Sequence, residues 1–251
     1  MPKILNYAGM VVILLFYQAA YSQITVATAA NMKFAMEELR ADFSTTRGIA
    51  VKAVYGSSGK IVTQIKNGAP FDIFVSADVG YADSAVKWGY GVSKPKIYAY
   101  GKLALWTMKH LDLTKGLSVL ADSSIGKIAI GDPKVTVYGP ASIEAMKKAG
   151  VYDKVKAQFV FADNIAQVAE YIVTQSADIG LTALSIAMSE PMRGKGTWVT
   201  VDSTLYSLIG QAAIILKYGD DNNPEISRAF YEYLYSEGAR AVLKRFGYSL
   251  P

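Results

Sequence analysis

Short apolar runs rich in β-branched residues alternate along this chain with polar turns and with segments of helical periodicity. Each run of four or so apolar residues predicts a buried strand, and each amphipathic segment after it predicts a helix. Strands alternating with helices predict a parallel sheet covered by helices on both faces, which is an α/β fold. Three such units open the chain, with strands at 24–27, 51–54 and 72–75 and helices at 32–43, 60–66 and 79–88.

A second set of units follows a long apolar stretch at residues 97–108, which we interpret as a crossover into a second lobe. An apolar strand at 211–216 is expected to return the chain to the first lobe, which helices at 224–235 and 238–246 complete. We therefore predict one lobe from residues 23–100 plus 212–251, a second from residues 101–211, and a cleft at the hinge where two crossover strands join them. The strands predicted in the second lobe are 127–130, 159–161 and 178–181.

The first 22 residues have the layout of a cleavable secretory signal. Lys3 supplies the basic start, residues 8–16 form an apolar core, and Ala20-Tyr21-Ser22 offers small residues before the cut. The apolar core is much shorter than the ~20 residues that a membrane-spanning helix requires. We predict that residues 1–22 are a signal peptide and that the exported protein is not embedded in a membrane.

Composition and charge narrow the function classes. The chain has no cysteine, which excludes disulfides, thiolate metal sites, cysteine nucleophiles and a lipid-modified cysteine anchor. Its net charge is +5, but basic and acidic residues are mixed, and the absence of a basic run argues against a nucleic-acid partner. Enzyme chemistry is the main alternative. The single histidine, His110, is interpreted as a surface residue, and Gly56-Ser57-Ser58-Gly59 lacks the G-x-S-x-G spacing of hydrolases.

Donor residues stand at four predicted strand–helix junctions: Asn31, Ser57-Ser58-Gly59, Tyr138-Gly139-Pro140 and Asn164. In open α/β sheets the ligand lies at this carboxyl edge of the strands, where helix N-termini offer backbone N–H groups and partial positive charge. Taken singly, serine and asparagine at such positions are ordinary helix caps. Together they predict a site for a tetrahedral, acceptor-only oxyanion, provided that Asp163 points away from it.

The chain resembles the periplasmic molybdate-binding proteins of ATP-driven importers from about residue 24 to residue 248. The resemblance rests above all on the segment NGAPFDIFVSAD at residues 67–78. It implies the two-lobed periplasmic solute-binding fold (type II), no enzymatic activity, no cofactor, and a molybdate or tungstate ligand held without metal–protein bonds. The other matching segments are ATAAN at 27–31, YGSSG at 55–59, GKLALW at 101–106, GDP at 131–133 and Tyr138-Gly139.

The same resemblance implies the ligand-binding residues. Some members of the family add a tyrosine hydroxyl in the last strand–helix loop, where this chain has Ala183, so that hydroxyl is either supplied by Tyr138 or missing. The resemblance also implies a monomeric periplasmic protein that docks on an inner-membrane permease, with sulfate as the alternative ligand. The predicted ligand-binding residues are Ala30, Asn31, Ser58, Tyr138 and Ile165, with Ala30, Tyr138 and Ile165 donating through backbone N–H groups.

Overall fold

The computed structural model describes residues 23–251, and the predicted signal peptide at residues 1–22 lies outside them. Strands and helices alternate over this range as the apolar pattern predicts. The strands are β1 (Gln23–Ala29), β2 (Ala50–Gly56), β3 (Ile73–Val75), β4 (Lys96–Gly101), β5 (Leu103–Thr107), β6 (Ile128–Gly131), β7 (Phe159–Ala162), β8 (Ile179–Ala183), β9 (Thr197–Thr200) and β10 (Ile209–Ile215). The α-helices are α1 (Lys33–Arg47), α2 (Ser58–Lys66), α3 (Val79–Lys87), α4 (Tyr138–Lys148), α5 (Tyr152–Val155), α6 (Ile165–Val173), α7 (Leu184–Ala187), α8 (Lys217–Asn222), α9 (Pro224–Tyr233) and α10 (Glu237–Arg245).

The strands form two five-stranded sheets, one in each lobe. The first has the order β2-β1-β3-β10-β4, in which β1 runs parallel to β2 and β3 while β10 runs antiparallel to β3 and β4. The second has the order β7-β6-β8-β5-β9. Strand β6 runs parallel to its neighbours β7 and β8, and β5 runs antiparallel to its neighbours β8 and β9. Helices cover the sheets, and inner strands such as β5 and β8 of the second sheet are buried along their whole length.

Two crossovers join the lobes. The apolar stretch predicted as one long strand is divided into β4 and β5, which belong to different sheets. Gly101 at the end of β4 pairs with Ile209 in the first sheet, whereas Leu103 at the start of β5 pairs with Ala183 in the second. Strand β10 returns the chain to the first sheet from Ile209 onward. The predicted α/β fold with two lobes and two crossover strands is therefore confirmed.

Several elements differ from the prediction. The helix after β8 has only the four residues of α7, and the structure adds β9, α8 and a 3₁₀ segment at Leu113–Ala121 that the apolar pattern did not predict. Helix α4 begins at Tyr138, so the predicted junction Tyr138-Gly139-Pro140 lies inside the first turn of the helix, with Pro140 as its third residue. Proline fits there because the first N–H groups of a helix need no partner within it. Within residues 23–251, no helix is long and apolar enough to cross a membrane.

Candidate functional site

A small cavity lies between the lobes, where strand ends and helix starts from both sheets face one another. Its lining includes all five residues that the sequence predicts as ligand-binding: Ala30 and Asn31 from the first lobe, Ser58 beside them, and Tyr138 and Ile165 from the second lobe. The structure therefore brings the predicted residues together around one space. The rest of the lining is Ala29, Gly56, Ser57, Ala77, Thr136 and Val137.

Three α-helices begin at this cavity. Ser58, Tyr138 and Ile165 are the first residues of α2, α4 and α6, so the N-terminal N–H groups and positive dipole ends of these helices converge on it. At α6 the cap is of the ordinary kind, because Asn164 Oδ1 accepts from the N–H groups of Ala166 (3.0 Å) and Gln167 (3.1 Å). That cap leaves the N–H of Ile165 available to another acceptor.

Neither of the adjacent serines at the start of α2 caps the helix with its side chain. Ser57 is the N-cap residue but its hydroxyl makes no capping bond, and it is buried without any hydrogen-bond partner among the described residues. The Ser58 hydroxyl oxygen accepts from the N–H of Ala77 at 2.9 Å. Because that bond uses an oxygen lone pair, the Ser58 hydroxyl proton remains free to donate into the cavity. The sequence prediction placed Ser57 among the donor residues of this junction but named only Ser58 as ligand-binding.

Asn31 is buried and lies in a 3₁₀ turn, Ala30–Met32, where it caps no helix. Its side-chain Nδ2 donates to Gln211 Oε1 and to the Tyr248 hydroxyl, both at 2.9 Å. Its carbonyl oxygen on the main chain accepts from Ser185 Oγ at 2.9 Å and from Tyr248 at 3.1 Å. Sequence reasoning missed Gln211 and Tyr248, because the crossover strand and the C-terminal segment reach Asn31 only in the folded chain.

The hydroxyl of Tyr138 points toward the hinge and contacts Gln211, whose Nε2 donates to it at 3.0 Å. Burial raises the pKa of Tyr138 well above its ordinary value, and the proximity of Tyr248 raises it further. The phenol therefore stays neutral. This hydroxyl lies against Gln211, whereas the backbone N–H of Tyr138 lies at the start of α4 with the other N-terminal donors. The backbone N–H is therefore the group of Tyr138 that we expect a ligand in the cavity to contact.

Ala183, where the family resemblance implies a tyrosine, ends β8 and is fully buried. The next hydroxyl along this loop is that of Ser185, which bonds the Asn31 carbonyl and so connects the second lobe to the first. In this chain the hydroxyls around Asn31 therefore come from Ser185 and Tyr248. Both contact the main chain of Asn31, and neither lines the cavity.

The described residues that line the cavity carry no charge. Asp163 is exposed, and its carboxylate pairs with Lys60 at 2.7 Å outside the lining, so it points away as predicted. His110, the only histidine, is exposed on the loop after β5. The arrangement offers neutral donors from backbone and hydroxyl groups, which can hold an anion by directed hydrogen bonds without a counter-charge.

These two lobes and the donor-lined cavity between them define an extracytoplasmic solute-binding protein. The chain belongs to the bacterial extracellular solute-binding protein family, whose model matches residues 24–249. It is 34% identical to the molybdate-binding protein ModA of Rhodobacter capsulatus, over 92% of this chain and 89% of that protein. It is 32% identical to the protein of the same name from Azotobacter vinelandii, over 94% of each.

Solved structures agree with the sequence comparison. The Azotobacter vinelandii periplasmic molybdate-binding protein superposes with a TM-score of 0.84 at 30% identity, covering 91% of this chain and 99% of that one. The sulfate-binding protein SubI from Mycobacterium tuberculosis gives a TM-score of 0.74 at 14% identity, which shows a shared fold alone. These relatives confirm the predictions of a two-lobed fold and of a binding protein rather than an enzyme.

Proposed function

We propose that this chain binds molybdate in the cavity between its lobes and delivers it to the membrane permease of an ATP-driven importer. The observation that carries the proposal is the convergence of Ala30, Asn31, Ser58, Tyr138 and Ile165 on one charge-free cavity at three helix N-termini. Two relatives with more than 30% identity to this chain are named as molybdate-binding proteins, which supports the same ligand.

Capture works by closure of the lobes around the anion. Ser58 and the turn at Asn31 supply donors from the first lobe, and the N–H groups of Tyr138 and Ile165 supply donors from the second. An anion that contacts both sets stabilises the closed arrangement, because only a ligand with higher affinity for one state can shift the balance between two states. A permease that recognises the closed form then receives only loaded protein.

The donor set favours an anion that accepts hydrogen bonds and donates none. A fully ionised tetrahedral dianion satisfies this condition, whereas hydrogen phosphate carries a proton that needs an acceptor. Tungstate has the charge and shape of molybdate and is proposed as a second ligand. Sulfate has the same charge and shape but is a smaller ion, so it is the alternative ligand.

The proposed setting is the periplasm, reached through a signal peptide at residues 1–22 that is removed on export. The protein is proposed to act as a monomer, because one chain supplies both sides of the cavity. Its partners are then the oxyanion and the permease.

Calorimetric titration of residues 23–251 with molybdate, tungstate, sulfate and phosphate tests the proposal. We expect tight binding of molybdate and tungstate with a stoichiometry of about one, and an increase in melting temperature that grows with ligand concentration. Tight binding of sulfate with none of molybdate would establish the alternative. Neither heat nor a thermal shift with any of the four anions would refute an oxyanion-binding function.

A further inference from the structure

Behind the cavity, Gln211 lies at the centre of a buried hydrogen-bond network. This fully buried residue of β10 has an amide that contacts three side chains. Its Oε1 accepts from Asn31 Nδ2 at 2.9 Å and from the Tyr98 hydroxyl at 2.8 Å, and its Nε2 donates to the Tyr138 hydroxyl at 3.0 Å. Through Gln211, the side chain of Asn31 is connected to both lobes.

In this arrangement the amide of Asn31 has the wrong polarity for an anion. Both of its N–H bonds are directed at Gln211 and Tyr248, and its Oδ1 is buried without a partner among the described residues. Since Asn31 lines the cavity and both of its side-chain N–H bonds are used elsewhere, the only group that its side chain has left for an anion there is an acceptor. An unpaired buried acceptor also destabilises the fold.

A concerted 180° rotation of the two amides removes this conflict at the same heavy-atom positions. Gln211 Nε2 would then donate to Asn31 Oδ1 at the 2.9 Å separation and to the Tyr98 hydroxyl at 2.8 Å. Tyr98 would donate to the carbonyl oxygen of Ser76, 3.3 Å away, and Tyr138 to Gln211 Oε1 at 3.0 Å. Tyr248 would donate to Asn31 Oδ1 at 2.9 Å. Asn31 Nδ2 takes the position of the unpaired Oδ1 and is left to donate to the anion. Every other side-chain group of the network keeps a partner, because a hydroxyl can either donate or accept.

We propose that Gln211 is a positioning residue for the ligand: by reversing together with Asn31, it holds the Asn31 amide with its Nδ2 facing the anion. This inference rests on the proposed function and assigns a role to a residue outside the cavity. Rotation of Asn31 alone would set its Oδ1 against Gln211 Oε1, two acceptors without a proton between them. The orientation of Gln211 therefore determines whether Asn31 presents a donor or an acceptor.

A double-mutant cycle between Gln211 and Asn31 tests the proposal. Gln211→Met keeps the volume of the side chain but cannot hydrogen-bond to the amide of Asn31. We therefore expect molybdate binding to weaken about tenfold, which corresponds to the loss of roughly one hydrogen bond to a charged group. Asn31→Ser supplies a hydroxyl that rotates to donate without help from Gln211. In the Asn31→Ser background, the Gln211→Met change should therefore leave the dissociation constant within about twofold.

Each outcome of the cycle is decisive. If Gln211→Met weakens binding equally in both backgrounds, Gln211 acts on the hinge or on stability and the proposal is wrong, although molybdate binding itself stands. If the wild-type protein binds no molybdate, the proposed function fails first and the inference with it. Melting temperatures of the ligand-free variants show whether each one is folded.

A second measurement uses only the wild-type protein. In its NMR spectra, the side-chain amide protons of Asn31 should show nuclear Overhauser effects to the ring of Tyr248 without ligand and lose them at saturating molybdate. The amide protons of Gln211 should then gain such effects to the ring of Tyr98. Gln211 and Tyr98 lie on neighbouring strands of the first sheet, and Tyr248 packs in the core of the same lobe, so lobe closure alone does not change either pair. Unchanged patterns on binding would contradict the reversal.

Discussion

Lys60 and Asp163 form an ion pair of 2.7 Å that connects the two lobes at the edge of the cleft. Each lies two residues from a predicted ligand-binding residue, Lys60 after Ser58 in α2 and Asp163 before Ile165 at the start of α6. Both side chains are largely exposed, so the pair is screened by water and salt. Its position means that it can form only while the helix starts face each other.

We expect Asp163→Asn to accelerate molybdate release because the closed form loses this ion pair. Exposed pairs contribute about 0.2–1 kcal/mol, so the dissociation rate should rise about two- to fivefold in stopped-flow experiments at low salt, and less at high salt. Lys60→Met should raise the dissociation rate similarly and also slow association, since it removes a cation near the cleft. Lys217→Met breaks the pair with Asp221 inside α8 and is the matched control. An equal effect in the control would show that the Lys60–Asp163 pair does not stabilise the closed form.

The adjacent serines at the start of α2 should respond differently to removal of their hydroxyls. Ser58→Ala leaves the N–H of Ala77 without its acceptor and deletes a donor to the anion, so both stability and affinity should fall, the latter about tenfold or more. Ser57→Ala deletes a hydroxyl that has no hydrogen-bond partner within residues 23–251, so it should weaken binding without lowering the melting temperature. Calorimetry and thermal melting of the two variants separate these effects. Unchanged affinity in Ser57→Ala would show that its hydroxyl does not contact the ligand.

The predictable part of this protein is the part in which local sequence determines local structure. Apolar periodicity predicts most strands and helices of the sheets, although it misses β9 and joins β4 and β5 into one strand. The donor residues Ser57-Ser58 and Asn164 follow from their place between a strand and a helix, whereas Ile165 follows only from the family resemblance. The roles of Gln211 and Tyr248 follow from neither, because their contacts with Asn31 span 180 and 217 residues and depend on the path of the crossover. The polarity of the Asn31 amide depends on those contacts as well.

The buried tyrosines predict how stability depends on pH. Burial raises the pKa of Tyr98 well above its ordinary value, and nearby tyrosines, Tyr248 first among them, raise it further. A hydroxyl whose pKa is higher in the folded than in the unfolded chain stabilises the fold fully below the unfolded pKa, about 10, and loses that contribution as the pH rises toward the folded value. The melting temperature should therefore decline above about pH 10. Tyr98→Phe should make the decline shallower, whereas Tyr218→Phe at an exposed site should not. Parallel curves for all three proteins would contradict this origin.

Gly101, the last residue of β4 before the crossover, should be intolerant of a side chain. A Cβ built there would lie 2.5 Å from Gln211 Nε2 and closer still to the Tyr138 hydroxyl, which are the two groups that join the lobes behind the cavity. Because the clash falls on that interlobe bond, Gly101→Ala should weaken molybdate binding by more than tenfold while each lobe keeps its own core. Small-angle X-ray scattering at saturating ligand should show a more open molecule than the wild type. Gly210→Ala is the control in the neighbouring strand, since its Cβ would meet nothing closer than Ile97 Cδ1 at 3.4 Å. Equal losses in the two variants would show that the hinge strands tolerate no added methyl group anywhere, and that the Gln211–Tyr138 contact is not the sensitive point.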